Sequence, residues 1–373
     1  MSWIAYVSSD KLLKECSKLK VINDRAYAVH QLISAYKLNE QMKEISPRLA
    51  TEKELRLFHA EYYVNYLKEQ SCDDCDDDDV DDEQLEYGIG YDCPKLNNLW
   101  KFATTIAGAT ITSVESIYSG ARIAINWCGG WHHAQRDNAE GFCYVNDICI
   151  GIQKLREKFK RVLYIDLDTH HGNGVENAFA FTKRAFTLSF HQYETGFFPN
   201  SGSVSECGLG QGRGYTANFP YRSGVSGSLF VDYFNKVANL IFETYKPDIC
   251  VVQCGGDVLV GDPLGNTNLT PIDMGKCVRT VISWNVPIIF LGGGGYNIPN
   301  TSRYWTYLTS IICETPISDD IPDDDNDYFL LYGPGYELNI AAKEISDLNT
   351  VEEFESNYRT IKENLIKYDV RDV

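Results

Sequence analysis

No run of about 18 uninterrupted apolar residues occurs in the sequence, so no membrane-spanning helix is expected. The opening MSWIAYV has no basic segment ahead of a long apolar one, so no secretory leader is expected. Basic charge is scarce. There are 34 Lys and Arg against 52 Asp and Glu, a net charge of -18 at pH 7. A protein that coats nucleic acid needs the reverse balance, so direct nucleic-acid binding is not expected. An acidic surface suits cationic partners such as lysine-rich segments. A P-loop and a GxSxG motif are both missing, which removes two common signatures of nucleotide binding and serine hydrolysis. A disulfide framework is missing too. The 12 cysteines are scattered, and Cys149, Cys250, Cys277 and Cys313 sit inside apolar stretches, as buried thiols of a reducing compartment do. Cys72 and Cys75 form a lone CxxC in an acidic run, with no second ligand pair nearby, so no zinc knuckle is expected there. These absences lead to the expectation of a soluble intracellular chain.

What is present is an alternation. Apolar strand-like runs occur at Arg122–Trp127, Val162–Leu167, Ala185–Phe190, Ile249–Gln253 and Val286–Leu291. Helical patterns lie between them. Val29, Leu32, Ile33 and Tyr36 give one apolar stripe, and Val351, Phe354, Tyr358, Ile361 and Leu365 another. Thr350 and Glu353 form a capping box for that last helix, expected at about 350–368. Continuous apolar strands separated by helices predict an α/β domain with a parallel sheet covered on both faces. One domain over residues 1–373 is expected. Acidic stretches at about 72–83 and 318–328 read as solvated loops.

Ligands of open parallel sheets bind beyond the carboxyl ends of the strands. Four of the runs end in chemistry-bearing residues. Gly129, Gly130, Trp131, His132 and His133 follow the first. Asp168, Thr169, His170, His171 and Gly172 follow the second. Gly255, Gly256 and Asp257 follow the fourth, and Gly292–Gly295 with Tyr296 the fifth. Five of the seven histidines lie between His132 and His191. Asp166, Asp168 and His170 alternate, so Asp168 and His170 can reach one cation, with Asp257 as a third ligand. Two carboxylates and an imidazole suit zinc and also tolerate iron(II) or manganese. His132 and His133 suit proton transfer, with Asp166 and Asn173 as the partners that orient them. The glycine run reads as a flexible hinge presenting the Tyr296 hydroxyl to an oxyanion. Cys128 and Cys143 bring a thiol nucleophile into consideration, which would leave the Asp168, His170 and Asp257 set unexplained.

The stretches GGWHHAQRDNAEGFCYVND (Gly129–Asp147), YIDLDTHHGNGVENAF (Tyr164–Phe179), HQYETGFFP (His191–Pro199), QCGGDVLVGDP (Gln253–Pro263) and LGGGGYN (Leu291–Asn297) closely resemble class I histone deacetylases. The resemblance runs from about residue 5 to about residue 340. It implies an arginase-like α/β fold with a central, mainly parallel, eight-stranded sheet. It implies zinc-dependent hydrolysis of N6-acetyl-lysine in histones and other proteins, in the nucleus and cytoplasm. Zinc ligands are implied at Asp168, His170 and Asp257, with iron(II) as a substitute. His132 and His133 are implied as the tandem histidines, with His133 the general base and acid, and Tyr296 as the residue polarising the carbonyl. Phe142 and Phe198 are implied as tunnel walls, with Gly141 and Leu264 also on the substrate, and Asp92 at the rim. Arg25 and Trp131 are implied in an acetate-release cavity. Potassium sites are implied at Asp166, Asp168, His170, Ser189 and Phe190, and at Phe179, Thr182, Ala185 and Tyr215. Ile22, Pro263 and Pro299 stand where relatives in corepressor complexes carry basic residues for inositol phosphate, so such a complex is not expected. Two departures stand out. Asn173 replaces the usual Asp, and Thr169 an aliphatic residue. Same-fold activity on longer acyl-lysines or acetylpolyamines, or a weak module binding basic tails, are the alternatives.

Overall fold

Every residue of Val162–Asp166 and of Ala185–Gln192 is buried. Strands hidden on both faces belong in a parallel sheet between helical layers. The computed structural model, which describes residues 3–71, 82–324 and 326–370, has that arrangement. Its strands are β1 (Trp3–Val7), β2 (Lys43–Ile45), β3 (Ala121–Asn126), β4 (Val162–Asp166), β5 (Ala185–Gln192), β6 (Thr216–Tyr221), β7 (Ile249–Gln253) and β8 (Ile288–Leu291). They form one 8-stranded sheet in the order β2-β1-β3-β8-β7-β4-β5-β6. Every neighbouring pair is parallel, so the expectation of a mainly parallel eight-stranded sheet holds in full.

The order matters for the site. β3, β8, β7 and β4 are contiguous at the centre of the sheet. Their register brings Asn126, Leu291, Gln253 and Asp166 side by side in one row, with Ser189 of β5 beyond. The loops that follow this row therefore leave one edge of the sheet together. Helices cover both faces. The helix Leu99–Tyr118 begins at Asn98, whose side chain accepts from the Lys101 amide at 3.1 Å, and it buries nearly its whole surface. The helix Val351–Lys367 has the expected capping box of Thr350 and Glu353. It seats Phe354, Ile361 and Leu365 on the outer layer, with the Phe354 ring 5.0 Å from that of Phe219.

Three strands, β1, β2 and β6, were not expected individually from the sequence. β2 has only three residues, exposed or half-buried at the sheet edge. β6 carries Pro220 and pairs only with β5, the edge position where a missing N–H is tolerated. The acidic stretch at about 72–83 lies outside the described residues as far as residue 81, as do Cys72 and Cys75. The second stretch is less solvated than expected. Ile321 and Asn326 are buried, and Asp319 holds the Asn339 amide at 2.8 Å. Among the described residues no helix is long and apolar enough to cross a membrane. Ten cysteines there are free; Cys149, Cys250 and Cys277 are buried as expected, whereas Cys313, like Cys128 and Cys207, is only half-buried.

One histidine away from the strand ends links folding to pH. His59 is buried; its Nε2 accepts from the Asn146 amide at 3.0 Å, and its Nδ1 lies 3.3 Å from the Arg136 carbonyl. A neutral imidazole satisfies both partners, and a cation cannot accept from Asn146. Burial pushes its pKa down to about 4. An unfolded chain, with a histidine pKa of about 6.5, binds a proton there that the folded chain refuses. Stability is complete above that value and falls as pH drops towards 4, by on the order of 3 kcal/mol. His59→Gln is therefore expected to flatten the loss of melting temperature between pH 7 and pH 5. Equal slopes in thermal melts of the two proteins would remove His59 as the cause.

Candidate active site

β3 delivers two histidines through a turn held from outside. The Asp147 carboxylate accepts from the amides of Gly130 at 3.1 Å and Trp131 at 2.8 Å, and from the Thr110 hydroxyl. Gly130 has φ +101°, and a Cβ there would lie 2.5 Å from the Gly292 carbonyl oxygen, so only glycine lets the two loops meet. His132 and His133 follow, buried, with ring centroids 4.0 Å apart.

Their partners differ. His132 Nδ1 lies 2.8 Å from Asp166 Oδ2, which also accepts from the Tyr164 hydroxyl at 2.6 Å. Burial alone would depress His132, but the charges of Asp166 and Asp168 outweigh it and lift its pKa to about 9. His133 Nδ1 lies 2.8 Å from Asn173 Oδ1. Burial, with His132 and His170 nearby, holds it well below the ordinary histidine value. An amide cannot offset that as a carboxylate would. Two adjacent imidazoles thus prefer opposite protonation states. Both expected pairings, with Asp166 and with Asn173, are present.

Past β4 and β7, Asp168, His170 and Asp257 converge. Their candidate donor atoms all lie within 4.8 Å of one another. His170 Nδ1 is 3.3 Å from Asp168 Oδ1 and 3.0 Å from Asp257 Oδ2. The outer oxygens are anchored: Asp257 Oδ1 accepts from the Thr169 amide at 3.1 Å, and Asp168 Oδ2 from Gln253 Nε2 at 2.8 Å and Gly294 at 2.9 Å. Burial and the charge of Asp168 push the Asp257 carboxyl up to about 8. Two carboxylates sealed from water in this way call for a positive charge between them. A divalent cation would supply it, and two carboxylates with one imidazole, His170 facing the pocket, form a donor set of the kind that holds a catalytic metal. Asp166 stays out of this trio. It faces His132 and caps the Asp168 amide at 3.1 Å.

The expectation of a flexible glycine hinge is overturned. The Gly292 amide bonds the Asn126 carbonyl at 3.2 Å, the Gly256 amide the Gly294 carbonyl at 2.8 Å, and Arg25 the Gly295 carbonyl at 2.8 Å. A Cβ on Gly294 would sit 2.0 Å from Asp257 Oδ2. The glycines are there because other groups pass close, and the run is a fixed floor. Tyr296 leaves it with its amide on Asp262 Oδ2 at 2.7 Å. Burial, then the charges of Asp257 and Asp168, hold its phenol well above the ordinary tyrosine value, so it stays a donor.

A pocket of about 290 Å³ opens onto these groups, lined by Asp92, His133, Gly141, Phe142, His170, Gly196, Phe197, Phe198, Leu264 and Tyr296. All the residues expected at the substrate therefore share one cavity. Phe198 stands edge-on to His133 at 4.9 Å, and Phe142 to Tyr296 at 5.6 Å. Asp92 is exposed at the rim and accepts from the Gly141 amide at 2.6 Å. Phe197, stacked on His170 at 5.1 Å, was not singled out in the sequence, although it adjoins Phe198. A second cavity behind the first holds Arg25, Trp131, His132, Cys143 and Tyr296. Burial lowers the Arg25 guanidinium below its ordinary value, and it lies 4.9 Å over the Trp305 ring.

Not every strand-end histidine joins the site. His171 lies 2.9 Å from Ser201 Oγ and 3.0 Å from Glu176, and His191 bonds the Gly202 carbonyl at 2.8 Å. Neither lines the pocket. Burial drives the Cys143 thiol well above its ordinary value, which removes it as a nucleophile. Of the potassium sets, Asp166 pairs in register with Ser189, and the Thr182 amide bonds the Phe179 carbonyl at 3.1 Å. Phe190 and Ala185 are buried in β5, and Tyr215 gives its carbonyl to the Thr187 amide at 3.0 Å.

Residues 21–312 match the histone deacetylase domain, and the chain belongs to the histone deacetylase family. It is an enzyme of the class I type, a protein deacetylase. It is 43% identical to Histone deacetylase 8 of Xenopus tropicalis over 362 residues, covering 96% of this chain and 97% of that protein. With Histone deacetylase 8 of Danio rerio the identity is 41% over 363 residues, 97% of this chain and 95% of that one. Histone deacetylase HDAC1 of Drosophila melanogaster is 39% identical over 342 residues, 91% of this chain and 65% of that protein. Within the class the chain thus resembles histone deacetylase 8 over nearly its whole length.

Proposed function

We propose that this chain hydrolyses the side-chain amide of N6-acetyl-lysine in proteins such as histone tails, with zinc held by Asp168, His170 and Asp257. The observation that carries this reading is the pocket that His133, Tyr296 and His170 line together with Phe142 and Phe198, with the donor atoms of Asp168 and Asp257 within 4.8 Å of that of His170.

The aliphatic stem of the lysine lies between Phe142 and Phe198, with Leu264 beside it. Asp92 takes the substrate's backbone N–H groups at the rim, oriented by the Gly141 amide. When bound, the ion supplies Lewis acidity towards the amide oxygen and towards water. His133, with Nδ1 engaged by Asn173, accepts the water proton through Nε2. It returns that proton to the lysine nitrogen as the C–N bond breaks, giving acetate and a free amine. His132, its Nδ1 held by Asp166, stands beside His133 and assists it in the proton transfer. The Tyr296 hydroxyl donates to the developing oxyanion. Acetate leaves past Trp131 towards Arg25.

Iron(II) fits the same donors. Structural potassium at the two sets named above belongs to the same reading. Ile22, buried in the core, offers no cation to an inositol phosphate, so activity without a corepressor complex is expected. The acidic charge of the chain suits basic tails, and nuclear action on chromatin follows from the substrate, with the cytoplasm as a second location. The test is hydrolysis of an acetyl-lysine peptide by protein stripped of metal and given back one equivalent of zinc. Activity is expected to vanish and return. Turnover of an acetylpolyamine or a longer acyl-lysine in place of the acetyl peptide would move the substrate assignment.

A further inference from the structure

His133 meets the pocket with one ring nitrogen and the protein with the other. An asparagine can face a histidine with either end of its amide, and the choice decides which imidazole nitrogen carries the proton. Here the choice is made one residue further out. Asn173 Nδ2 donates to Glu140 Oε1 at 3.0 Å. A carboxylate only accepts, so Asn173 must turn its NH2 to Glu140 and its carbonyl to His133. His133 must then donate from Nδ1, which leaves Nε2 bare. Glu140 is itself clamped. Gln135 Nε2 donates to Oε2 at 2.8 Å and to the His133 carbonyl at 3.0 Å, while Gln135 Oε1 accepts from Asn177 at 3.1 Å. Paired backbone bonds between Glu140 and Cys143 fix the turn that puts Gly141 and Phe142 in the pocket wall.

We infer that Glu140 is a positioning residue for hydrolysis: acting through Asn173, it sets the tautomer of His133 and provides the carboxylate that position 173 itself lacks. The inference rests on His133 being the base in the function proposed above. It explains how an asparagine stands in a series where class I relatives usually carry aspartate. It also reverses a simple expectation. Asn173→Asp, nominally a return to the common residue, would set two carboxylates about 3 Å apart, where they cannot both ionise. Glu140→Gln in that background restores the series with amide and carboxylate exchanged. The introduced aspartate would accept from His133 and from the new amide, whose carbonyl accepts from Gln135.

The experiment uses the zinc-loaded full chain, Asn173→Asp, the double variant Asn173→Asp with Glu140→Gln, and Glu140→Ala. Asn173→Asp is expected to lower kcat about tenfold or more with little change in KM. The double variant is expected to recover to within about threefold of the parent, a coupling that independent losses cannot produce. Nitrogen-15 NMR of histidine-labelled protein is expected to find His133 as the Nδ1–H tautomer in the parent and a mixture in Glu140→Ala. Full activity of Asn173→Asp, or losses that multiply in the double variant, would overturn the inference. So would an unchanged tautomer in Glu140→Ala. A parent without acetyl-lysine hydrolysis would overturn the proposed function instead, while the tautomer measurement would still decide the role of Glu140.

Discussion

Asp257→Asn is expected to abolish zinc retention and to cut peptide deacetylation more than about a thousandfold, beyond the cost of losing a single oxyanion donor. The substitution is nearly isosteric. Its carbonyl can still accept from the Thr169 amide, so the turn Gly256–Val258 keeps its anchor. What it removes is one of the two carboxyl groups facing His170 Nδ1. A neutral amide is a weak ligand for a hard or borderline dication, and Asp168 with His170 leaves the site one ligand short. The same change removes a carboxyl that burial and the charge of Asp168 disfavour as an anion when no metal is bound. In metal-free protein Asp168 and Asp257 are both fully buried and share one small volume. Metal-free Asp257→Asn is therefore expected to melt no lower than metal-free parent. Zinc should raise the melting temperature of the parent alone, by the equivalent of about 4 kcal/mol at a thousandfold excess over Kd. Zinc content by mass spectrometry of purified protein and thermal melts with and without zinc check both halves. A variant that keeps one zinc per chain would exclude Asp257 as a ligand.

The centre of the sheet was legible because its strands are buried on both faces. Continuous apolar runs at β3, β4, β7 and β8 stand out, and each ends in His, Asp or Gly. That is enough to foresee a shared edge and the trio of Asp168, His170 and Asp257. The edges were not legible. β2 is short and wet, and β6 reads TANFPY, whose polar residues and proline mask a strand until its partner is known. Inside the site, the residues that escaped notice are those whose role depends on distant neighbours. Asp147 holds the turn before His132, Gln253 ties Asp168 to its loop, and Asp262 anchors Tyr296. Each is a polar residue whose bond to the site crosses from one loop or strand to another. His171 and His191 erred the other way. Their place in the histidine cluster suggested chemistry, and their hydrogen bonds to Ser201 and to the Gly202 carbonyl hold loops together.

Tyr296→Phe is expected to lower kcat by about a hundredfold to a thousandfold, the range for losing one donor to an oxyanion. KM and zinc content should hardly move. The reason lies in how little else the hydroxyl supports. The tyrosine is placed by its backbone, through Asp262 Oδ2 at 2.7 Å, and by its ring, which meets Phe142 edge-on at 5.6 Å. Phenylalanine keeps both. The charges of Asp257 and Asp168, added to burial, keep the phenol protonated, so what is lost is an O–H and not a phenolate. In the proposed reaction that O–H would face the ground-state amide oxygen as well, but a hydrogen bond strengthens as the oxygen becomes anionic, and only the increase lowers the barrier. A loss confined to kcat is thus the signature of an oxyanion donor. A rise in KM at constant kcat would instead make Tyr296 a wall of the substrate pocket. Full turnover in Tyr296→Phe, with zinc bound, would remove the hydroxyl from the chemistry and leave the metal site to stabilise the oxyanion alone.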